Sequence, residues 1–203
     1  MLEGIDVSNW QGRIDWRQVR QAGKVFAWLK CSEGTHYADP TYLPNFQGAK
    51  QQGILPCTYH FARPLDYKAE AEAEFFLSVV GGPTFAYGEA IALDMEPNAT
   101  GAWLAEWALE WLAYVGDRVG FKPLIYSAPG LMQDYGMIGN TELAHYGLWL
   151  ASWQDSLPAA PACWPVVAFW QYTDTGVCPG IQGACDLDRF NGTVDQMMLY
   201  GAP

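Results

Sequence analysis

Residues 90–96 read Ala-Ile-Ala-Leu-Asp-Met-Glu, four apolar residues in succession and then two acids one residue apart. A short run that is apolar at every position, not at alternate ones, fits a strand buried on both faces. The acids mark where such a strand leaves the core. Side chains at i and i+2 of a strand share one face, about 6.5–7 Å apart along the chain. Asp94 and Glu96 are therefore expected side by side at a strand end.

The same pattern extends in both directions. Strands are expected at residues 4–8, 25–31 and 55–62, and again at 123–128, 148–153, 166–172 and 185–190. Between the early strands lie helical segments. Asp15 is placed to cap a helix over 16–22 that Gly23 stops, and another helix spans 41–52 between Pro40 and Gly53. Residues 67–80 form a third. In 103–119, Trp103, Leu104, Trp107, Ala108, Trp111 and Leu112 recur at three- and four-residue spacing, an apolar stripe that packs on a core. A short helix near 130–135 follows the fifth strand. Beyond it the helical period disappears and loops rich in Pro and Gly join the last three strands.

These elements predict one α/β domain over residues 1–203, an irregular TIM-like barrel of the form (β/α)5(β)3. In parallel barrels the chemistry collects at the C-terminal ends of the strands. Polar and aromatic candidates stand there: Asp6, Lys30, Glu33, Tyr59, His60, Asp94, Glu96, Tyr126, Trp153, Gln171 and Tyr172, with Asp186 in the last strand.

Composition narrows the partners. The formal net charge is −11, which repels nucleic acid. No apolar run approaches the roughly 20 residues that cross a bilayer, so membrane insertion is not expected. The first residues lack the basic and apolar regions of a secretory signal. Ten Trp and eleven Tyr fill a core first, and those left at the surface can stack on sugar rings. Cys178 and Cys185 flank a Pro-Gly loop and suit a disulfide in an oxidising compartment, Cys31 and Cys57 fit neighbouring strands, and buried free thiols are the alternative for both pairs.

A carboxyl pair at the end of a buried strand has a chemical use. Burial and mutual repulsion raise the proton affinity of at least one member. A protonated acid beside a carboxylate is what glycoside cleavage requires. The spacing alone fits equally a strand-end pair in an ion-pair network. Asp6, Asp94, Glu96 and Asp186 could also hold a divalent cation through oxygen, but the three histidines carry no H-x-H or H-E-x-x-H pattern, and no metal or other cofactor is expected. No G-x-S-x-G elbow occurs, and Gly81-Gly82-Pro83 reads as a turn, not a phosphate loop. His60 reads as a satisfied strand-end histidine.

Taken in order, the motifs resemble those of glycoside hydrolase family 25, the Chalaropsis-type muramidases that include phage endolysins. The matching stretches are Gly4-Ile5-Asp6-Val7-Ser8 with Trp10 and Gln11, Lys30-Cys31-Ser32-Glu33-Gly34, Tyr59-His60-Phe61 and Leu93-Asp94-Met95-Glu96. Tyr126-Ser127, Leu148-Trp149, Trp170-Gln171-Tyr172 and Asp186-Leu187-Asp188-Arg189-Phe190 complete the series. Cys31 and Met95 depart from the small or apolar residues usual at those positions, but neither removes a carboxylate. The resemblance implies hydrolysis of the β-1,4 bond between N-acetylmuramic acid and N-acetylglucosamine in peptidoglycan. Glu96 would be the proton donor, Asp94 the orienting partner of the substrate's 2-acetamido group, and Asp6 and Asp186 the rest of the acidic cluster. Tyr59, Tyr126, Trp153, Gln171, Tyr172, Lys30 and Glu33 become candidates for the sugar. Asp188 either shares the face of Asp186 or caps the turn at Asn191-Gly192. A catalytically silent sugar-binding barrel or structural phage component is the alternative. The protein is expected to act as a monomer outside the cell or at its wall, with lysin-type release in place of a signal and no separate wall-binding domain.

Overall fold

The computed structural model describes residues 1–81, 85–86 and 88–201, so most of the turn expected at 81–83 lies outside them. Nine strands form one sheet: β1 (Leu2–Val7), β2 (Phe26–Glu33), β3 (Tyr37–Ala38), β4 (Leu55–Phe61), β5 (Ile91–Asp94), β6 (Leu124–Ser127), β7 (Gly147–Ala151), β8 (Phe169–Gly176) and β9 (Cys185–Phe190). Their order is β1-β9-β8-β7-β6-β5-β4-β2-β3, and pairing of β1 with β2 closes eight of them into a barrel. Neighbours are parallel from β1 through β2, β4, β5, β6 and β7 to β8, whereas β9 runs antiparallel to both β8 and β1. The two-residue β3, a hairpin on β2, has no counterpart in the sequence reading.

Helices α1 (Trp16–Gln21), α2 (Tyr42–Gln51), α3 (Ala69–Val80), α4 (Trp103–Val119) and α5 (Pro129–Asp134) follow the first five barrel strands, and a one-turn α6 (Val194–Met197) ends the described chain. Asp15 caps α1 as expected, accepting from the backbone N–H of Arg17 and Gln18 at 3.1 and 3.2 Å. Helix α4 buries Leu104, Trp107, Ala108, Trp111 and Leu112 together, but Trp103, in its first turn, is 41% exposed. Among the described residues no helix is long and apolar enough to cross a membrane.

Two apolar layers result. One lies between barrel and helices, and the other fills the barrel itself. Inside, Phe26 packs edge-on against Phe169, and above them Trp28 and Trp149 stack with centroids 4.6 Å apart. Gly4 makes room for this filling, because a Cβ there would stand 2.3 Å from the Phe26 ring. Tyr59 and Tyr126 pack against Trp149 and form the floor under the polar mouth. All five cysteines are free thiols, so the disulfide suggested for Cys178 and Cys185 is not formed. Cys31 and Cys57 do lie on neighbouring strands, yet one faces the outer layer and the other the barrel interior.

His60 lies in the outer layer, as a satisfied core residue. It is fully buried, stacks on Trp111, and reaches Ser32 Oγ through Nδ1 and Glu72 through Nε2, each at 2.8 Å. Burial pushes its proton affinity down, and it has no part in the barrel mouth.

Candidate active site

The mouth at the C-terminal ends of the parallel strands holds a cleft of about 260 Å³, walled by Asp6, Lys30, Tyr59, Asp94, Glu96, Tyr126, Gln171 and Asp186 together with Trp10, Gln11, Phe61 and Trp149. The reversed direction of β9 explains how Asp186 arrives there. It stands at the start of its strand, opposite Asp6 near the end of β1. A larger cavity of about 690 Å³ on the barrel flank, beside α1 and α2, contains one acid, Asp15, already engaged in capping. Paired carboxylates occur only in the smaller cleft of these two.

Strand β5 stops at Asp94, so Glu96 projects from the following loop and not from the strand. Asp94 is 6% exposed, whereas Glu96 opens onto the cleft. Their carboxyls lie within hydrogen-bond reach of each other. Burial first, then the charge of Glu96, raises the proton affinity of Asp94 well above the carboxylate range, and its buried Oδ1 has no hydrogen-bond partner among the described residues. Desolvation also raises Glu96, opposed by its bond to Asp94 and by the Lys30 charge. Two such groups titrate as a pair. Desolvation and mutual repulsion thus favour a proton shared by the pair, and the pull is stronger at the more deeply buried Asp94.

Opposite, Gln171 organises the second acidic group. Its Nε2 donates to Asp6 Oδ2 at 2.9 Å, while its Oε1 accepts from Tyr126 and from the Trp153 indole, each at 3.2 Å. Asp6 lies within hydrogen-bond reach of Asp186 and Asp188, and burial, then the charges of Asp188 and Asp186, raises its proton affinity well above the usual carboxylate range. Burial pushes Asp186 up to about 6.

Lys30 and Glu33 owe their contact to an irregularity. The register of β2 against β4 slips between Lys30 and Ser32, a bulge that brings residues three apart onto one face. Lys30 Nζ then donates to Glu33 at 2.6 Å and lies 4.7 Å from the centre of the Phe61 ring, and Arg63 holds the other Glu33 oxygen. Burial works against ionisation of Glu33, but the two cations outweigh it and hold its carboxyl below the usual range.

The profile of glycosyl hydrolases family 25 matches residues 5–181. The chain belongs to that family. It is 34% identical to lysozyme M1 of Streptomyces globisporus over 97% of this chain and 70% of that protein. With the N,O-diacetylmuramidase of Chalaropsis sp it shares 26% identity, over 97% of each chain. Among solved structures, the bacterial lysozyme of Streptomyces coelicolor superposes with a TM-score of 0.86 at 31% identity, covering 98% of this chain and 97% of that one.

Not every candidate residue of this family 25 chain reaches the cleft. Tyr172 does not: it neighbours Gln171 on β8, so it points to the opposite face, where its hydroxyl donates to Glu3 and its ring lies under Arg189. Trp153 touches the cleft only through Gln171 and lines an adjoining hollow, 62% exposed. Glu33 also sits outside the acidic cleft, in a hollow on its other flank. Among the described residues, no group of three or more His, Cys, Asp and Glu side chains is arranged to hold a metal ion.

Asp188 corrects the turn-cap alternative. It is fully buried inside the barrel on the Asp186 face, and its Oδ1 accepts from Trp149 Nε1 at 2.8 Å. Burial pushes its carboxyl up to about 8. Its unfolded counterpart titrates near 4, so the folded state binds the proton more tightly and loses stability as pH rises between those values. Asp188→Asn mimics the protonated form and should escape that loss. Its melting temperature is expected to match the wild type near pH 4 and to exceed it at pH 8 by about 1–3 kcal/mol of stability, several degrees. Equal melting curves at both values would show that Asp188 ionises without cost.

Residues absent from the candidate list include Trp149, Trp10 and Gln11. Trp10 is 85% exposed on a 3-10 turn held by the Ser8–Gln11 capping box, with the Asn9 N–H bound to Asp39 at 2.9 Å. The Ser-x-x-Gln spacing at 8–11 was the available signal for that turn.

Proposed function

We propose that the protein is a muramidase that hydrolyses the β-1,4 bond between N-acetylmuramic acid and N-acetylglucosamine in peptidoglycan. Contact between the carboxyls of Asp94 and Glu96 carries this reading. A retaining nucleophile and its acid stand about 5–5.5 Å apart, and an inverting pair still farther. Two touching carboxyls fit neither arrangement, so Asp94 acts on the same side of the sugar as Glu96. The role left for it is to receive the N–H of the 2-acetamido group.

In this scheme the acetamido donor stabilises ionised Asp94, and the shared proton passes to Glu96. Glu96 gives it to the glycosidic oxygen as the C1–O bond breaks, and the acetamido oxygen attacks C1 to form a cyclic oxazolinium. Water then adds at C1, loses its proton to Glu96 and reopens the ring with the starting configuration. Gln171 and Tyr126 keep Asp6 in place across the cleft, where Asp186, hydrogen-bonded by Asp6, supports positive charge at C1. Tyr59 and Tyr126 form the floor beneath the sugar. The protein would act as a monomer at the bacterial wall, and its net charge of −11 leaves nucleic acid out of account.

Digestion of purified bacterial walls tests the assignment. Mass analysis of the soluble fragments is expected to show N-acetylmuramic acid at every new reducing end. Fragments ending in N-acetylglucosamine, or free peptides alone, would overturn it.

A further inference from the structure

Next to the acidic cleft, across Trp10 and Lys30, a second hollow of about 520 Å³ opens, with Glu33, His36, Tyr37 and Arg63 in its walls. In a chain of net charge −11 this spot has the opposite balance, two cations against one acid. Glu33 is bound to both Lys30 and Arg63, so the trio keeps one positive charge. Arg63 is partly open to solvent, with 46% of its side chain exposed. Lys30 belongs to both hollows, and its charge draws down the proton affinity of both Asp94 and Glu96. A continuous path therefore runs from the dyad through Lys30 and Glu33 to Arg63.

A muramyl ring carries its acetamido group on C2 and a lactyl arm, ending in a carboxylate or a peptide, on the adjacent O3. If Asp94 receives the acetamido group, the arm leaves the ring beside the dyad. On one side it would meet the Asp186 carboxylate, and on the other Lys30 and Arg63. Like charges in a partly buried cleft repel strongly, so the arm is directed to the cations. Trp10, exposed between the two hollows, offers an apolar face to the ring or the arm.

We propose that the Lys30–Arg63 hollow receives the carboxylate-bearing arm on O3 of the muramyl sugar, so that charge selects muramyl strands over plain glucosaminyl ones. The inference rests on the muramidase reading and adds a specificity device to it.

Glycan strands freed of peptide by an amidase retain the lactyl carboxylate, and conversion to the methyl amide removes only the charge. The wild type is expected to show a KM about tenfold higher on the amidated strands, with kcat within about twofold. In Arg63→Gln the ratio of the two KM values should fall toward one. Equal KM values for the wild type, or a ratio unchanged in Arg63→Gln, would overturn the proposal and leave the muramidase reading intact. If neither kind of strand releases reducing ends, the muramidase reading itself fails, and the inference with it.

Discussion

Glu96→Gln is expected to lower the release of reducing ends from bacterial walls by about 10³-fold or more, while the folded protein stays as stable as the wild type to within about 0.5 kcal/mol. The rate effect follows from where the proton must go. An amide keeps the shape of Glu96 and its contact with Asp94, yet cannot deliver a proton to the departing oxygen or take one from water. Stability should hold because Glu96 is exposed at the cleft edge and supports no apolar packing. Initial rates on walls and a thermal melt of the same preparation check both halves. A loss below about tenfold would move the acid role to another carboxyl of the mouth, Asp186 first, since its proton affinity of about 6 suits a general acid.

Much of this was legible in the residues. Each of the eight expected strands exists, because runs such as Ile91–Asp94 are apolar at every position and need cover on both faces. Asp15 and Gly23 marked helix ends by local chemistry that tertiary structure did not override. What sequence reading missed depends on pairing and not on composition. The slip at Lys30 and Ser32 arises from the neighbouring strand, and without it Lys30 and Glu33 would point to opposite faces. Strand β8 begins three residues later than expected, at Phe169, and runs on to Gly176, because its antiparallel partner β9 extends it past the barrel rim. Tyr172 was grouped with Gln171 by position in a motif, but alternation along the strand separates them. Asp188 shows the opposite case. Its turn-side neighbours suggested a cap, and the regular register of β9 against β1 carried it into the barrel instead.

Asp94→Asn should cost about 10²–10³ in kcat with little change in KM, and it should also move the pH profile. In the wild type the burial of Asp94 and the nearness of Glu96 raise the proton affinity of the dyad, because full ionisation leaves two anions side by side. With Asn at 94 no second anion can form. The Asn amide also donates to Glu96, which favours the ionised form of Glu96. Both effects lower the proton affinity of Glu96, so it loses its proton at lower pH. The alkaline fall of kcat/KM is therefore expected to shift toward acid in Asp94→Asn, and the dyad's share of the acid-side fall should vanish. The residual activity reflects an acetamido group that still attacks C1 but meets a neutral partner at its N–H. A profile measured from pH 4 to 9 for both proteins separates this role from its rival. If Asp94 were instead the nucleophile, its amide would be inert beyond about 10⁴-fold, and Glu96→Gln would accumulate a glycosyl ester on Asp94 visible by intact mass.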